Sequence, residues 1–257
     1  MKKVTNPGRR VGVDNPDPCP MLSGLKNVYN FHPETILDIG AHYGSFTKEC
    51  NIIWPDAEVT MIEATREFAP ELKALNNLDK YIPTGYPREK VGSKNEYVIA
   101  LLGDSEKKVT FYKVRKDKIS KCSNNTGHSI YKENSEQYTG EEYESEERDM
   151  QRLDSIFVTE ETTFDLIKMD TQGSELDIIN GGVDLIKKAK ILIMEISFEE
   201  CNIGAPRSTE VINFLEDLNF SPMDNDVANN KDGGWFWKPA GGKGQQDVVF
   251  VNNSYEV

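Results

Sequence analysis

Thr35-Ile36-Leu37-Asp38-Ile39-Gly40-Ala41-His42-Tyr43-Gly44-Ser45 is the stretch that decides the fold class. Its first five residues form a short apolar run suited to a buried strand. Two glycines follow at once, and Ser45–Ile53 then reads as a helix closed by Pro55. A strand that passes through a glycine turn into a helix is the opening unit of a parallel α/β sheet. Glycines in such a turn let the backbone approach a ligand, and the helix start offers free N–H groups that favour a carboxylate. A dinucleotide fingerprint needs G-x-G-x-x-G. Only Gly40 and Gly44 are present here, which disfavours a nicotinamide cofactor.

The alternation continues outward from that stretch. Strands are predicted at Val59–Glu63, Tyr97–Leu102, Phe164–Met169 and Lys190–Ile196. Helices are predicted at Glu67–Asn76, from Ser174 to Ile179, and at Thr209–Leu218. Strands alternating with helices imply a mostly parallel sheet covered on both faces. Near the end of the chain, Gly233–Trp237 and Asp247–Val251 flank a glycine-rich turn and predict two strands paired antiparallel at one sheet edge. The fold class is therefore α/β: a doubly wound, Rossmann-like, mostly parallel sheet with an antiparallel edge strand. Residues 1–30, rich in Pro, Gly and Asn, read as an irregular extension ending in a short helix near Met21–Tyr29. Residues 31–257 read as one domain.

The alternation breaks between Asp104 and Leu153. A strand at Val109–Val114 is followed by the basic stretch Lys113–Lys121 and by Tyr131–Asp149, which is dense in Glu. This charged insertion, about 113–150, reads either as a solvated loop or as a lid over the site. Trp235-Phe236-Trp237 reads as edge-strand packing or as a surface on which a sugar stacks.

Composition narrows the function classes. The 257 residues carry a formal net charge of −13, a field that repels phosphate backbones and makes nucleic acid a poor partner. No apolar run approaches the roughly 20 residues of a membrane span. The basic N-terminus has no apolar segment behind it, so no secretory signal is expected. Cys19, Cys50, Cys122 and Cys201 are scattered and form no CxxC pair, which fits reduced thiols in the cytoplasm better than a zinc site or disulfide framework.

Chemistry concentrates at predicted strand ends, where ligands of open α/β sheets bind. Glu63 ends the second strand and can accept hydrogen bonds from the vicinal hydroxyls of a ribose. Lys168-Met169-Asp170-Thr171-Gln172-Gly173-Ser174-Glu175 ends the fourth. Asp170 is placed to touch a substrate or an amino group, and Lys168 to pair with a carboxylate across the site. Glu175 reads either as a site residue or as an acid favoured by the first turn of a helix.

Together these stretches resemble the FkbM-type methyltransferases, over about Thr35–Ser197 and again near Gln246–Val251. The resemblance is carried by Leu37-Asp38-Ile39-Gly40-Ala41, Gly103-Asp104, Leu153-Asp154-Ser155-Ile156, Lys168-x-Asp170-x-x-Gly173-x-Glu175 and Gly181-Gly182. It implies a class I methyltransferase fold, S-adenosyl-L-methionine (SAM) as cofactor, and O-methylation of a sugar, glycan or similar small molecule. It places cofactor contacts on Asp38, Gly40, Ala41, His42, Tyr43, Gly44, Ser45, Phe46, Glu63, Gly103, Asp104 and Lys168. The chain departs from the family pattern at His42-Tyr43, where Asn-Ile or similar is usual, and at Gln172, where Glu is usual.

Methyl transfer from a sulfonium is an in-line displacement. A neutral hydroxyl needs a base within hydrogen-bond reach to act as nucleophile. The candidates are Asp170, His128 and Glu195. Glu195 interrupts the apolar fifth strand, which is costly for a residue without a partner or a function. His128 lies in Asn124–Ser129, a loop able to fold over the site, and its ordinary pKa suits base work. Asp170 and Glu195 are also the candidate ligands for a divalent metal, Mg2+ or Mn2+. Two rival readings stand beside this one. An amino-methylating enzyme is disfavoured because Asp170-Thr171-Gln172-Gly173 lacks the Asn/Asp-Pro-Pro-Tyr/Phe motif. A non-catalytic binding module need not have kept Glu63 and the Gly40–Gly44 turn.

Overall fold

The apolar runs become strands because each is covered on both faces. The structure, a computed structural model, describes residues 19–75, 95–115, 127–134, 143–223 and 244–255. Its strands are β1 (Thr35–Ile39), β2 (Glu58–Glu63), β3 (Asn95–Ile99), β4 (Leu101–Leu102), β5 (Lys107–Val114), β6 (Tyr143–Gln151), β7 (Leu166–Met169), β8 (Ile191–Ser197), β9 (Phe220–Pro222) and β10 (Gln245–Asn252). The helices are α1 (Pro20–Asn27), α2 (Ser45–Ile53), α3 (Ala69–Leu75), α4 (Leu153–Ile156), α5 (Glu175–Asn180), α6 (Val183–Ile186) and α7 (Ser208–Asp217).

Seven strands form one sheet in the order β3-β2-β1-β7-β8-β10-β9. The first five are parallel, and β10 runs antiparallel between β8 and the short edge strand β9. Successive side chains of β1 enter opposite cores. Leu37 and Ile39 join Ile167, Met169, Leu192 and Met194 on one face, whereas Ile36 joins Val59, Leu166 and Ile193 under α1 and α2 on the other. The chain leaves β1 toward β2 and β3, then returns to β1's other side as β7. A crevice therefore opens at the carboxyl ends of β1 and β7, where the direction of winding reverses.

Two sequence expectations change. The run Tyr97–Leu102 is not one strand. β3 ends at Ile99, and Leu101–Leu102 pairs with β6 in a second sheet of order β4-β6-β5. The Ala100 amide donates to the Glu63 carbonyl at 3.0 Å and the Gly103 amide to the Gln151 carbonyl at 3.0 Å, so the chain crosses from one sheet to the other here. Second, part of the Glu-dense stretch is a strand: β6 pairs antiparallel with the full length of β5. Opposite charges meet across that pair. Lys113 lies 3.1 Å from Glu146 and 3.9 Å from Glu144. Such cross-strand pairs support a sheet that has little apolar area.

Residues 116–126, 135–142 and the Gly233–Trp237 segment lie outside the described residues, as does Cys122. Cys19, Cys50 and Cys201 are free thiols. Among the described residues no helix is long and apolar enough to cross a membrane.

Candidate active site

An open cleft of about 690 Å³ lies over the ends of β1, β2 and β7. Its floor includes Gly40, His42, Glu63, Ala100, Leu101, Leu102, Asp170, Thr171 and Gln172, and its roof includes Phe111, Gly127, His128, Ser129 and Ile130. The apolar lining with a few polar groups suits a small-molecule ligand.

The turn after β1 is built for close approach. Gly40 and His42 both take left-handed backbone, at φ 76° and 53°. A Cβ on Gly40 would collide with the carbonyl oxygen of Asp170. Left-handed backbone is costly for most L-residues and less so for Asn, Asp and His. The turn is tied to β2 from below. The Gly40 and Ala41 amides donate to the Ile62 carbonyl, and the His42 amide donates to Glu63 Oε2 at 2.8 Å. Glu63 Oε1 accepts from the Thr65 amide at 2.7 Å. Each carboxylate oxygen keeps further acceptor capacity. Burial pushes the Glu63 carboxyl above its ordinary pKa, against the pull of those two amides.

At the end of β7, Asp170 accepts from Lys168 Nζ at 3.2 Å through Oδ2 and from Gln172 Nε2 at 3.0 Å through Oδ1. The same Gln172 nitrogen donates to Glu195 Oε2 at 2.7 Å. Gln172, at φ 57°, thus clasps the two carboxylates together. Burial raises the pKa of Glu195 well above normal, and Asp170, Glu175 and Asp247 push it further. Burial pulls the Lys168 ammonium down, but Asp170, Asp38 and Asp247 outweigh it and hold its pKa above normal. Its Nζ also sits 5.5 Å above the Phe46 ring.

Glu175 proves to be a loop anchor. Its carboxylate accepts from the Thr171 amide at 2.8 Å, the Thr171 hydroxyl at 3.1 Å and the Gly173 amide at 3.0 Å. Burial pushes its pKa up to about 7. Because the folded value exceeds the ordinary one of 4.5, the folded state binds the extra proton between those values, and Glu175 makes stability rise as pH falls from about 7 toward 4.5. A Glu175→Gln variant should show a shallower rise in melting temperature on acidification from pH 7 to 5 than the wild type; an unchanged slope would contradict this.

The roof is a strap, residues 127–134, fastened at both rims. Ser129 and Tyr112 of β5 exchange backbone bonds of 2.8 and 3.1 Å. Farther along, the Asn134 amide donates to Cys201 at 2.7 Å, and Tyr131 Oη donates to Asp177 at 2.8 Å. The strap brings His128 over the cleft, with Nδ1 3.0 Å from Thr65 Oγ1.

Of the sequence-predicted residues, Gly40, His42, Glu63, Asp170 and His128 line the cleft. Glu195 joins Asp170 through Gln172, a link that the sequence reading missed because it needs two strand ends brought together. Asp38, fully buried, lies under the turn and accepts the Thr47 hydroxyl at 2.7 Å. Ala41 is buried, and Ser45 and Phe46 begin α2 behind Gly44. Tyr43 packs on His42 and Phe68. Gly103 and Asp104 stand beyond the lining residues, and Asp104 is ion-paired with Lys107 at 2.9 Å. No group of three or more His, Cys, Asp or Glu able to hold a metal ion occurs among the described residues. The Gln172 amide occupies the position between Asp170 and Glu195.

No curated protein matches the sequence. Solved structures similar to it include a methyltransferase FkbM from Methylobacillus flagellatus KT, 16% identical over 85% of this chain and 43% of that one, with a TM-score of 0.45. The chain thus spans less than half the length of that protein. A ribosomal protein L11 methylase from Lactobacillus delbrueckii subsp. bulgaricus is 10% identical over 90% of this chain and 76% of its own, TM-score 0.43. A precorrin-6y C5,15-methyltransferase from Geobacter metallireducens GS-15 is 13% identical over 90% and 84%, TM-score 0.41. Residues 38–222, from the acid of β1 to the end of β9, match the methyltransferase FkbM domain, so the chain belongs to that family of methyltransferases.

Proposed function

We propose that the protein transfers a methyl group from SAM to a hydroxyl of a sugar, glycan or similar small molecule. One observation carries this reading: the Gly40–His42 turn, Glu63 and Asp170, from three neighbouring strands, line the same cleft. The residues present fit the cofactor that the family implies. The left-handed turn lets backbone come close, Glu63 has acceptor capacity to spare for ribose hydroxyls, and Ala100, Leu101 and Leu102 offer apolar cover for a base. SAM, when bound, supplies a methyl group on a sulfonium ready for in-line displacement.

The chain's own groups do the rest. Glu63 holds hydroxyls at one end of the cleft. Asp170, steadied by Lys168 and Gln172, accepts the proton of the acceptor hydroxyl. Burial and its acidic neighbours disfavour the ionised form of Glu195, which makes it the less available of the two carboxylates for that proton. The acid-lined acceptor end and the missing amino-methylation motif support oxygen over nitrogen as the acceptor atom. On the same reading, residues 31–257 form one catalytic domain against which α1 packs through Met21, Leu22 and Leu25, and its setting is the cytoplasm. The net charge of −13 supports small molecules over nucleic acid as substrates.

Calorimetric titration with SAM tests the donor half. The wild type should bind, and Glu63→Ala should weaken binding by about a hundredfold or more, the loss of two charge-assisted hydrogen bonds. Melting temperatures measured in parallel separate this from the unpairing of the His42 and Thr65 amides. A folded wild type that binds no SAM would overturn the proposal.

A further inference from the structure

His128 is the cleft residue that the acceptor chemistry leaves unused, and the structure holds it in one pose. Its Nδ1 meets Thr65 Oγ1, its ring stacks on Phe68 with centroids 5.8 Å apart, and it stands edge-on to Phe111 at 6.4 Å. None of these contacts uses Nε2, which is buried and has no hydrogen-bond partner among the described residues. A buried ring nitrogen without a partner is costly, which makes Nε2 a candidate contact for a bound molecule.

Thr65 donates its amide to Glu63 Oε1 at 2.7 Å, and its hydroxyl oxygen lies 3.0 Å from His128 Nδ1, so Nε2 is the ring nitrogen left to meet a ligand. Burial, together with His42 and Lys113 and against Glu67, lowers the His128 pKa to about 4, so the ring is neutral at ordinary pH.

We propose that His128 is a donor-site residue whose Nε2 hydrogen-bonds to the nucleoside part of the bound methyl donor. This rests on the donor half of the proposed function. The anchors point to that end: Thr65 and Phe68 follow Glu63 directly, whereas the Asp170–Gln172–Glu195 clasp belongs to β7 and β8.

Titration with S-adenosylhomocysteine, which carries the same nucleoside and cannot react, reads this without any acceptor. His128→Phe keeps the ring against Phe68 and Phe111 and removes the nitrogen; it should bind about tenfold or more weakly at an unchanged melting temperature. His128→Gln, which returns a hydrogen-bonding amide, should recover much of the loss. Full affinity in His128→Phe, with binding still dependent on Glu63, overturns the role of His128 and leaves the donor site standing. Absence of binding to the wild type overturns both. Nitrogen NMR of the wild-type imidazole gives a second reading free of any variant: the Nε2 resonance should move on adding S-adenosylhomocysteine, and an unmoved resonance at saturation refutes the contact.

Discussion

Asp170→Asn should lower the rate of methyl transfer by about 10²–10⁴-fold, the usual contribution of a positioned general base. Affinity for SAM should change little, because Glu63 and the Gly40–His42 turn belong to other strands. Asn keeps the shape of the side chain but only one acceptor oxygen, so one of Lys168 and Gln172 loses its partner, and it cannot take up the acceptor's proton. Single-turnover assays with any hydroxyl compound that the wild type methylates provide the measurement. An unchanged rate would remove Asp170 from the chemistry.

The second large effect is on stability. Gly40→Ala should cost about 3–5 kcal/mol, since it combines a left-handed backbone with a collision against the Asp170 carbonyl. Gly204 is the built-in control. Its φ of 77° matches that of Gly40, but a Cβ there meets nothing within 4 Å. Gly204→Ala should therefore cost only the backbone part, about 1–2 kcal/mol. Urea unfolding of the two variants measures the difference. Equal losses would mean that the β1–β7 junction gives way without cost.

The parts of the fold legible in the sequence are those where burial is two-sided. β1 and α2 were read to the residue, because an apolar run, a glycine turn and Pro55 leave little freedom. β6 was hidden for the opposite reason. Its buried residues, Tyr143 and Met150, lie seven positions apart and so face opposite sides, and charged residues fill most of the space between. The available signal was charge complementarity with Lys108 and Lys113, not hydropathy. In the site, Glu63 and Asp170 could be found because each ends an apolar strand. The Gln172 bridge and the Thr65–His128 contact could not, since they join residues 23 and 63 positions apart.

The contact between Gly40 and Asp170 bears on how such an enzyme can change. The Gly40 turn and Asp170 touch through backbone, and the Asp170 amide donates to the Ile39 carbonyl at 3.1 Å. Their spacing is thus a property of two adjacent strands, not of any loop. The cover over the cleft belongs to a different sheet and a separate strap. In evolutionary terms the rest of the strap beyond His128 is free to mutate, while the alignment on which the displacement depends stays fixed in the sheet beneath it.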